Sequence, residues 1–192
     1  MLATVDGYKV YAGIPVGYTT ADAVIAGLIA RVEDQAGRYC NRVFELNSVA
    51  VQETYNGGSC SIQLKRYPVI EIEDVAYLSD VFSGAIAFTP IDADNYYADA
   101  QTGLLFYRNG VFPEGVRNIR VKYRGGWDST TVPGEFLQSV YQAVDWYYAD
   151  RRMNQSLASE SVGSANVNRK SESEVRELMD RLFGGFRTGG LT

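Results

Sequence analysis

The sequence predicts an α+β protein, a small bundle of about three helices with an antiparallel β insert between the first and second long helices. Three observations carry this prediction. Residues 19–44 and 175–186 repeat apolar side chains at helical spacing. Residues 49–127 break into short β-branched and aromatic runs separated by glycine-rich turns. A further helical pattern opens at Pro133, a residue suited to the first turn of a helix. The helical part is therefore assigned to 19–46 and 131–186 and the β-rich insert to 47–130, within one domain of 192 residues.

In the first helix, TTADAVIAGLIARVEDQAGRYCNRVF, the residues Val24, Ile25, Leu28, Ile29, Val32, Ala36, Tyr39, Cys40 and Val43 form one stripe. A helix from about 20 to 43 would be roughly 36 Å long at 1.5 Å per residue. Thr19 and Asp22 resemble a capping box with Asp in place of the usual Glu or Gln. Gly27 and Gly37 each cost about 1 kcal/mol in a helix interior, and close approach of a neighbouring helix is the favoured reason for them. Cys40 sits on the stripe near the helix C-terminus, where the dipole disfavours a thiolate, while Arg38 and Arg42 project to other faces. A buried thiol is the preferred reading, ahead of a bridge to Cys60 or a reactive cysteine.

In the insert, residues 49–55 and 60–66 flank Asn56-Gly57-Gly58 and read as a hairpin. Further runs at 69–78, 95–98, 104–107 and 118–123 bring the total to about six strands. From Glu71 to Thr102 the chain carries Glu71, Glu73, Asp74, Asp80, Asp92, Asp94 and Asp99 without a Lys or Arg, read as solvated acidic loops. DADNYYADAQTG is not a calcium loop, because Tyr96, Tyr97 and Gly103 stand where a ligand, a turn glycine and a bidentate Glu are needed. Arg120, Lys122 and Arg124 alternate with Val121 and Tyr123, which places three cations on one strand face. Such a stripe could meet phosphate or an acidic partner, with a plain solvated strand face as the simpler reading.

The second long helix should run from Pro133 to about 152 on Phe136, Leu137, Val140, Tyr141, Val144, Tyr147 and Tyr148. Residues 154–170 are polar and aperiodic, and are expected to form a loop that is itself a site candidate. Ser171 and Glu174 form a capping box that leads into Val175, Leu178, Met179, Leu182, Phe183 and Phe186. That stripe suits either the protein's own core or an interface with a partner. Gly184-Gly185 signals the stop.

Composition narrows the function classes. A net charge of −5 argues against wrapping of nucleic acid, and the absence of histidine removes the commonest general base and zinc ligand. No GxSxG, HExxH, P-loop or paired CxxC occurs, so no catalytic residue, metal or cofactor is expected. No run approaches the ~18 apolar residues of a membrane span, and the first residues lack a signal-peptide layout. A Ser59 or Cys60 nucleophile beside the glycine turn would lack a base.

The order of features goes further. The long helix ending in Tyr39, Cys40, Arg42 and Phe44, the turn YNGG, the phrase RYPVIEIEDV with Pro68, Val69 and Ile70, the strand end VKYRGGW, the helix VPGEFLQSVYQAVDWYY opened by Pro133, and the loop SESVGSANVN together resemble the tailed-bacteriophage head-tail connector proteins, also called adaptor or head-completion proteins. The resemblance spans about residues 18–186. It implies a structural virion protein, assembled after packaging as a ring, of twelve copies in that family, beneath the portal protein. The ring would present a platform to a stopper or tail-completion protein and let DNA pass without sequence-specific binding. Host cytoplasm during assembly and the head-tail interface of the virion are the implied locations. The portal contact would fall on Val167 to Phe186 and the loop before it. The β insert at 79–118 is larger than in the shorter members. The runner-up is a β-rich tail or baseplate module that recognises carbohydrate or protein, with Tyr11, Tyr96, Tyr97 and Tyr107 stacking on sugars.

Overall fold

The computed structural model describes residues 1–80, 87–160 and 171–187, and for 80 and 152–160 the backbone alone. The chain forms an α+β fold of two compact units: Met1–Arg42 with Ser129–Thr192, and Val43–Asp128.

The first unit is helical. Its first helix, α1 (Val5–Tyr11), lies outside the sequence prediction and is capped by the Thr4 hydroxyl, which accepts the Gly7 N–H at 3.0 Å. The second, α2 (Asp22–Cys40), is shorter than expected at both ends and stops where Asn41 turns left-handed. The Thr19/Asp22 capping box does not form. Ala21 is the N-cap without a side-chain bond, and Asp22 instead faces the Lys9 ammonium at 2.6 Å. Close helix packing does not explain Gly27, which faces open space. A Cβ on Gly37 would meet only the Arg42 carbonyl, at 3.2 Å.

The helix α3 (Gly134–Glu160) corrects the expected loop after 152. Residues 153–160 contain no Gly or Pro, and a helix already formed propagates cheaply through polar residues. The remainder of the expected loop, 161–170, lies outside the described residues. The last helix, α4 (Glu172–Phe183), opens with the foreseen capping box: Ser171 accepts the Glu174 N–H, and Glu174 accepts the Ser171 N–H at 2.7 Å. A short 3-10 turn, Gly184–Phe186, follows. The core of the unit is Ile25, Ile29, Val32, Ala36 and Cys40 of α2, Phe136, Val140, Ala143, Val144 and Tyr147 of α3, and Leu178, Met179 and Phe183 of α4.

Among the described residues the second unit has seven strands in two antiparallel sheets: β1 (Val51–Tyr55), β2 (Ser61–Gln63), β3 (Val69–Asp80), β4 (Ala87–Pro90), β5 (Tyr96–Asp99), β6 (Leu104–Tyr107) and β7 (Ile119–Gly125). One sheet has the order β1-β7-β3-β4 and the other β2-β6-β5. The expected hairpin of residues 49–66 does not form, because β1 and β2 join different sheets. The glycine turn between them bonds elsewhere: the Gly57 N–H reaches Gly115 O (3.0 Å) and Asn118 Oδ1 (2.9 Å), and the Gly58 N–H reaches Phe112 O (2.9 Å). A Cβ on Gly57 would fall 1.8 Å from the Pro113 carbonyl oxygen, so only glycine admits this approach.

Strand β3 hides its pattern. Two register shifts against β7, between Val69 and Glu71 and between Ile72 and Asp74, keep Val69, Ile72, Val75 and Tyr77 against the core although Val69, Ile72 and Val75 are spaced by three rather than two. They pack with Ile62, Leu64, Leu105, Phe112, Ile119, Val121 and Tyr123. The segments at the two ends of this unit are joined to each other. The Trp127 N–H donates to Phe44 O (2.6 Å), the Leu46 N–H to Trp127 O (2.7 Å), and the two rings stack 5.6 Å apart. Gly126 makes this possible. Its φ is +107°, and a Cβ there would lie 2.7 Å from the Phe44 carbonyl oxygen.

Candidate functional site

The capping box fixes the start of α4, and its 3.6-residue period then divides the helix into a buried and an exposed side. Of the six residues singled out from sequence, Leu178, Met179 and Phe183 are buried within the helical unit, and Val175, Leu182 and Phe186 are half-buried. The Phe136 ring meets Phe183 edge-on at 5.8 Å and Phe186 at 5.5 Å. The Tyr39 hydroxyl donates to Asp180, which raises the phenol's pKa, and Arg187 lies over the Tyr39 ring. Most of the stripe is thus used by the protein's own core. The fully exposed positions of α4 are Ser173 and the charged Glu172, Glu174, Arg176, Glu177, Asp180 and Arg181. Between α3 and α4, an open groove of about 310 Å³ is lined by Trp146, Glu174, Glu177, Leu178 and Arg181.

The basic face of β7 is matched by acids. Arg120 pairs with Asp74 at 2.9 Å, Lys122 with Glu73 at 2.7 Å, and Arg124 with Glu71 at 3.9 Å, while Phe88 of β4 lies under the Arg120 guanidinium at 4.5 Å. The expectation of acidic loops is corrected here, since Glu71, Glu73 and Asp74 lie on strand β3. The bulges that keep the apolar residues inward also bring these three carboxylates to the side of the cations. The result is a charge-compensated surface. It is a weaker attractor for phosphate than three free cations would be.

Cys40 is buried, its thiol donates to Phe183 O at 3.5 Å, and burial pushes its pKa up to about 11 against the pull of Arg42 and Arg187. Cys60 is exposed, and the two cysteines are not bridged. The thiolate reading of RYCNRVF therefore fails on burial.

Two polar groups escaped the sequence reading. The Lys9 side chain is 1% exposed, yet its ammonium holds Asp22 and donates to Val16 O at 3.0 Å, pinning the segment between α1 and α2. Glu53, half-buried on β1, accepts the hydroxyls of Tyr55 and of Tyr123 (2.8 Å), and Tyr123 in turn accepts the N–H groups of Lys65 (3.2 Å) and Arg66 (3.1 Å). Burial holds the Tyr123 phenol up at about 12 and raises Tyr55 further. The one local signal for Glu53 was a carboxylate at an inward position of an alternating strand.

Three of the four tyrosines of the sugar-binding reading lie in the β unit. Tyr96 and Tyr107 pack against the β core, Tyr107 with Phe112 at 5.0 Å. Tyr97 faces outward, stacked on Phe106 at 4.9 Å. Tyr11 belongs to the helical unit, in an aromatic group with Tyr8 and Tyr141. Among the described residues no cluster of three His, Cys, Asp or Glu could hold a metal ion, and no helix is long and apolar enough to cross a membrane.

No known protein family and no curated protein matches this sequence. Solved structures do match it. A chain in the neck of an empty gene transfer agent particle, computed with C6 symmetry, aligns over 100% of this chain and 92% of its own length, with a TM-score of 0.60 and 15% identity. A chain in the virion of a native gene transfer agent particle aligns over the same shares with a TM-score of 0.61 and 13% identity. A third, in the neck of the native particle computed with C12 symmetry, aligns over 89% of this chain and 85% of its own, with a TM-score of 0.52 and 13% identity. The fold of this chain is therefore similar to that of chains in gene transfer agent particles, two of them in the neck.

Proposed function

We propose that this chain is a structural neck protein of a phage-like particle, an adaptor that forms a ring beneath the portal and joins head to tail. The observation that carries the proposal is the fold match, over 100% of this chain, to a chain in the neck of a gene transfer agent particle. In this reading about twelve copies assemble on the portal protein after packaging, in line with the C6 and C12 symmetry of the neighbouring structures. DNA passes through the ring without being read, a stopper or tail-completion protein binds below, and no catalytic step is involved. The chain assembles in the host cytoplasm and ends in the virion.

The α4 segment is the proposed portal contact, through its charged outer side, since its apolar side holds the helical unit together. Deleting the segment would therefore unfold the protein. Charge reversal, Glu177→Lys with Arg181→Glu, is the cleaner probe. The test mixes the purified chain with the portal protein encoded in the same genome and follows mass by size exclusion with light scattering. The proposal expects a monomer or weak oligomer alone, a ring on the portal, and loss of portal binding in the reversed variant with an unchanged circular dichroism spectrum. A stable twelve-membered ring without portal would overturn assembly on the portal. Failure to bind portal at all would overturn the adaptor role.

A further inference from the structure

The chain contains two Asn-Gly pairs, Asn56-Gly57 and Asn109-Gly110, and the structure treats them in opposite ways. We propose that Asn109 is a site of spontaneous deamidation in the folded protein, whereas Asn56 is held out of the same reaction by its surroundings.

The chemistry needs only water. The Gly nitrogen, after losing its proton to hydroxide, attacks Cγ of the preceding Asn. A C–N bond forms, the Cγ–Nδ2 bond breaks, and ammonia leaves with a proton from water. The resulting five-membered succinimide is opened by water at one of its two carbonyls. Opening at the side-chain carbonyl gives Asp, and opening at the main-chain carbonyl gives isoaspartate, with the chain rerouted through Cβ and Cγ. Glycine in the second position favours attack because no Cβ shields its nitrogen.

At Asn56 the fold blocks each requirement. The Asn56 side-chain oxygen accepts the Arg117 N–H at 2.8 Å, which fixes the amide. The attacking nitrogen, that of Gly57, donates to Gly115 O at 3.0 Å and to Asn118 Oδ1 at 2.9 Å. Gly57 also lies hard against Pro113, so the main-chain rotation that brings nitrogen to Cγ has no room.

At Asn109 the situation is reversed. Asn109 and Gly110 are both exposed in the turn after β6, and a Cβ on Gly110, with φ +105°, would meet nothing within 4 Å. Among the described residues no hydrogen bond holds the Gly110 N–H. Among the described residues the one bond to the Asn109 side chain is the exposed one from its Nδ2 to Asn95 Oδ1 at 2.6 Å, which engages the leaving group and leaves the carbonyl carbon open. The Asp product puts a carboxylate opposite Asn95 Oδ1, and either product takes the formal charge of −5 one unit more negative. Isoaspartate also inserts a main-chain carbon between two anchors, the Arg108 N–H on Asn95 O (2.8 Å) and the Phe112 N–H on Ser59 O (2.9 Å).

Three hydrogen bonds restrain the first site and one the second, so the native rate at Asn109 should exceed that at Asn56 by about thirtyfold, the equivalent of two net hydrogen bonds. The test incubates the full chain at mildly alkaline pH, native and in concentrated urea. Peptide mass spectrometry then quantifies amide-to-carboxyl conversion at each Asn, and an isoaspartyl methyltransferase counts isoaspartate. The expected result is conversion confined to the Asn109 peptide in the native protein, and similar rates at both sites in urea. Asn109→Gln should abolish the native signal. Equal native rates, faster conversion at Asn56, or a native Asn109 as inert as Asn56 while urea releases both would each overturn the proposal.

Discussion

Replacing Phe183 with alanine distinguishes a helix that belongs to the protein's own core from one held ready for a partner. The Phe183 ring is fully buried and meets Phe136 edge-on. Truncating a buried Phe to Ala costs about 3–5 kcal/mol, of which the aromatic pair supplies about 0.5–1.5 kcal/mol. Against a typical domain stability of about 5–15 kcal/mol, that is enough to shift a urea midpoint strongly. The two tryptophans allow the loss to be located, because Trp146 lies in the helical unit and Trp127 in the β unit. In a Trp127→Phe background, Trp146 fluorescence should show an early transition in the Phe183→Ala variant, with a matching loss of far-ultraviolet circular dichroism. If α4 rested on this unit only loosely, the cost would fall to the roughly 0.5 kcal/mol of a surface change. A midpoint unchanged within that range would refute the assignment of α4 to the core.

Gly126→Ala should destabilise the β unit by at least about 1–3 kcal/mol, since the position has φ +107° and a Cβ would press on the Phe44 carbonyl. Trp127 fluorescence during urea unfolding reads this, and an unshifted midpoint would contradict it. In the native protein a thiol reagent should titrate one cysteine, Cys60, and reach Cys40 only on unfolding, so two fast thiols would contradict the packing at Cys40. Alkaline pH should destabilise the β unit. The folded state keeps the Tyr123 proton up to about pH 12 while the unfolded phenol loses it near 10.0. The native state therefore binds more protons across that window, and stability falls as pH rises, by up to about 1.4 kcal/mol per pH unit for each such tyrosine. Chemical unfolding at stepped pH should show this slope, and Tyr123→Phe should shallow it; an equally steep slope in that variant would contradict the assignment.

What was legible in the sequence was what local chemistry decides. The stripe from Ile25 to Cys40 and the Ser171 capping box announce α2 and α4 because a helix satisfies its own backbone and shows one period. The helix α1 is only seven residues long and includes Gly7 between Val5 and Val10, so propensity says little, and its stability comes from the burial of Tyr8 and Lys9. Strand β3 hid its apolar face because two bulges break the alternation. The turn at Asn56 carried a strong hairpin signal that lost to three bonds from its backbone N–H groups, to Phe112 O, Gly115 O and the Asn118 side chain, which no local window contains. The candidate site divides the same way. The α4 stripe could be listed from sequence, but its use by Phe136 and Cys40 required the tertiary fold. The cations of β7 could likewise be listed, but their pairing with Glu71, Glu73 and Asp74 required strand register.

The proposed role makes this chain a ring subunit of a particle neck. Cryo-electron microscopy of the particle that carries it, reconstructed around the neck without imposed symmetry, tests that claim most directly. The expected map shows about twelve copies of this fold in one ring between portal and tail, with the charged side of α4 toward the portal. A neck without this chain, or the chain found in the baseplate or tail fibres, would contradict it.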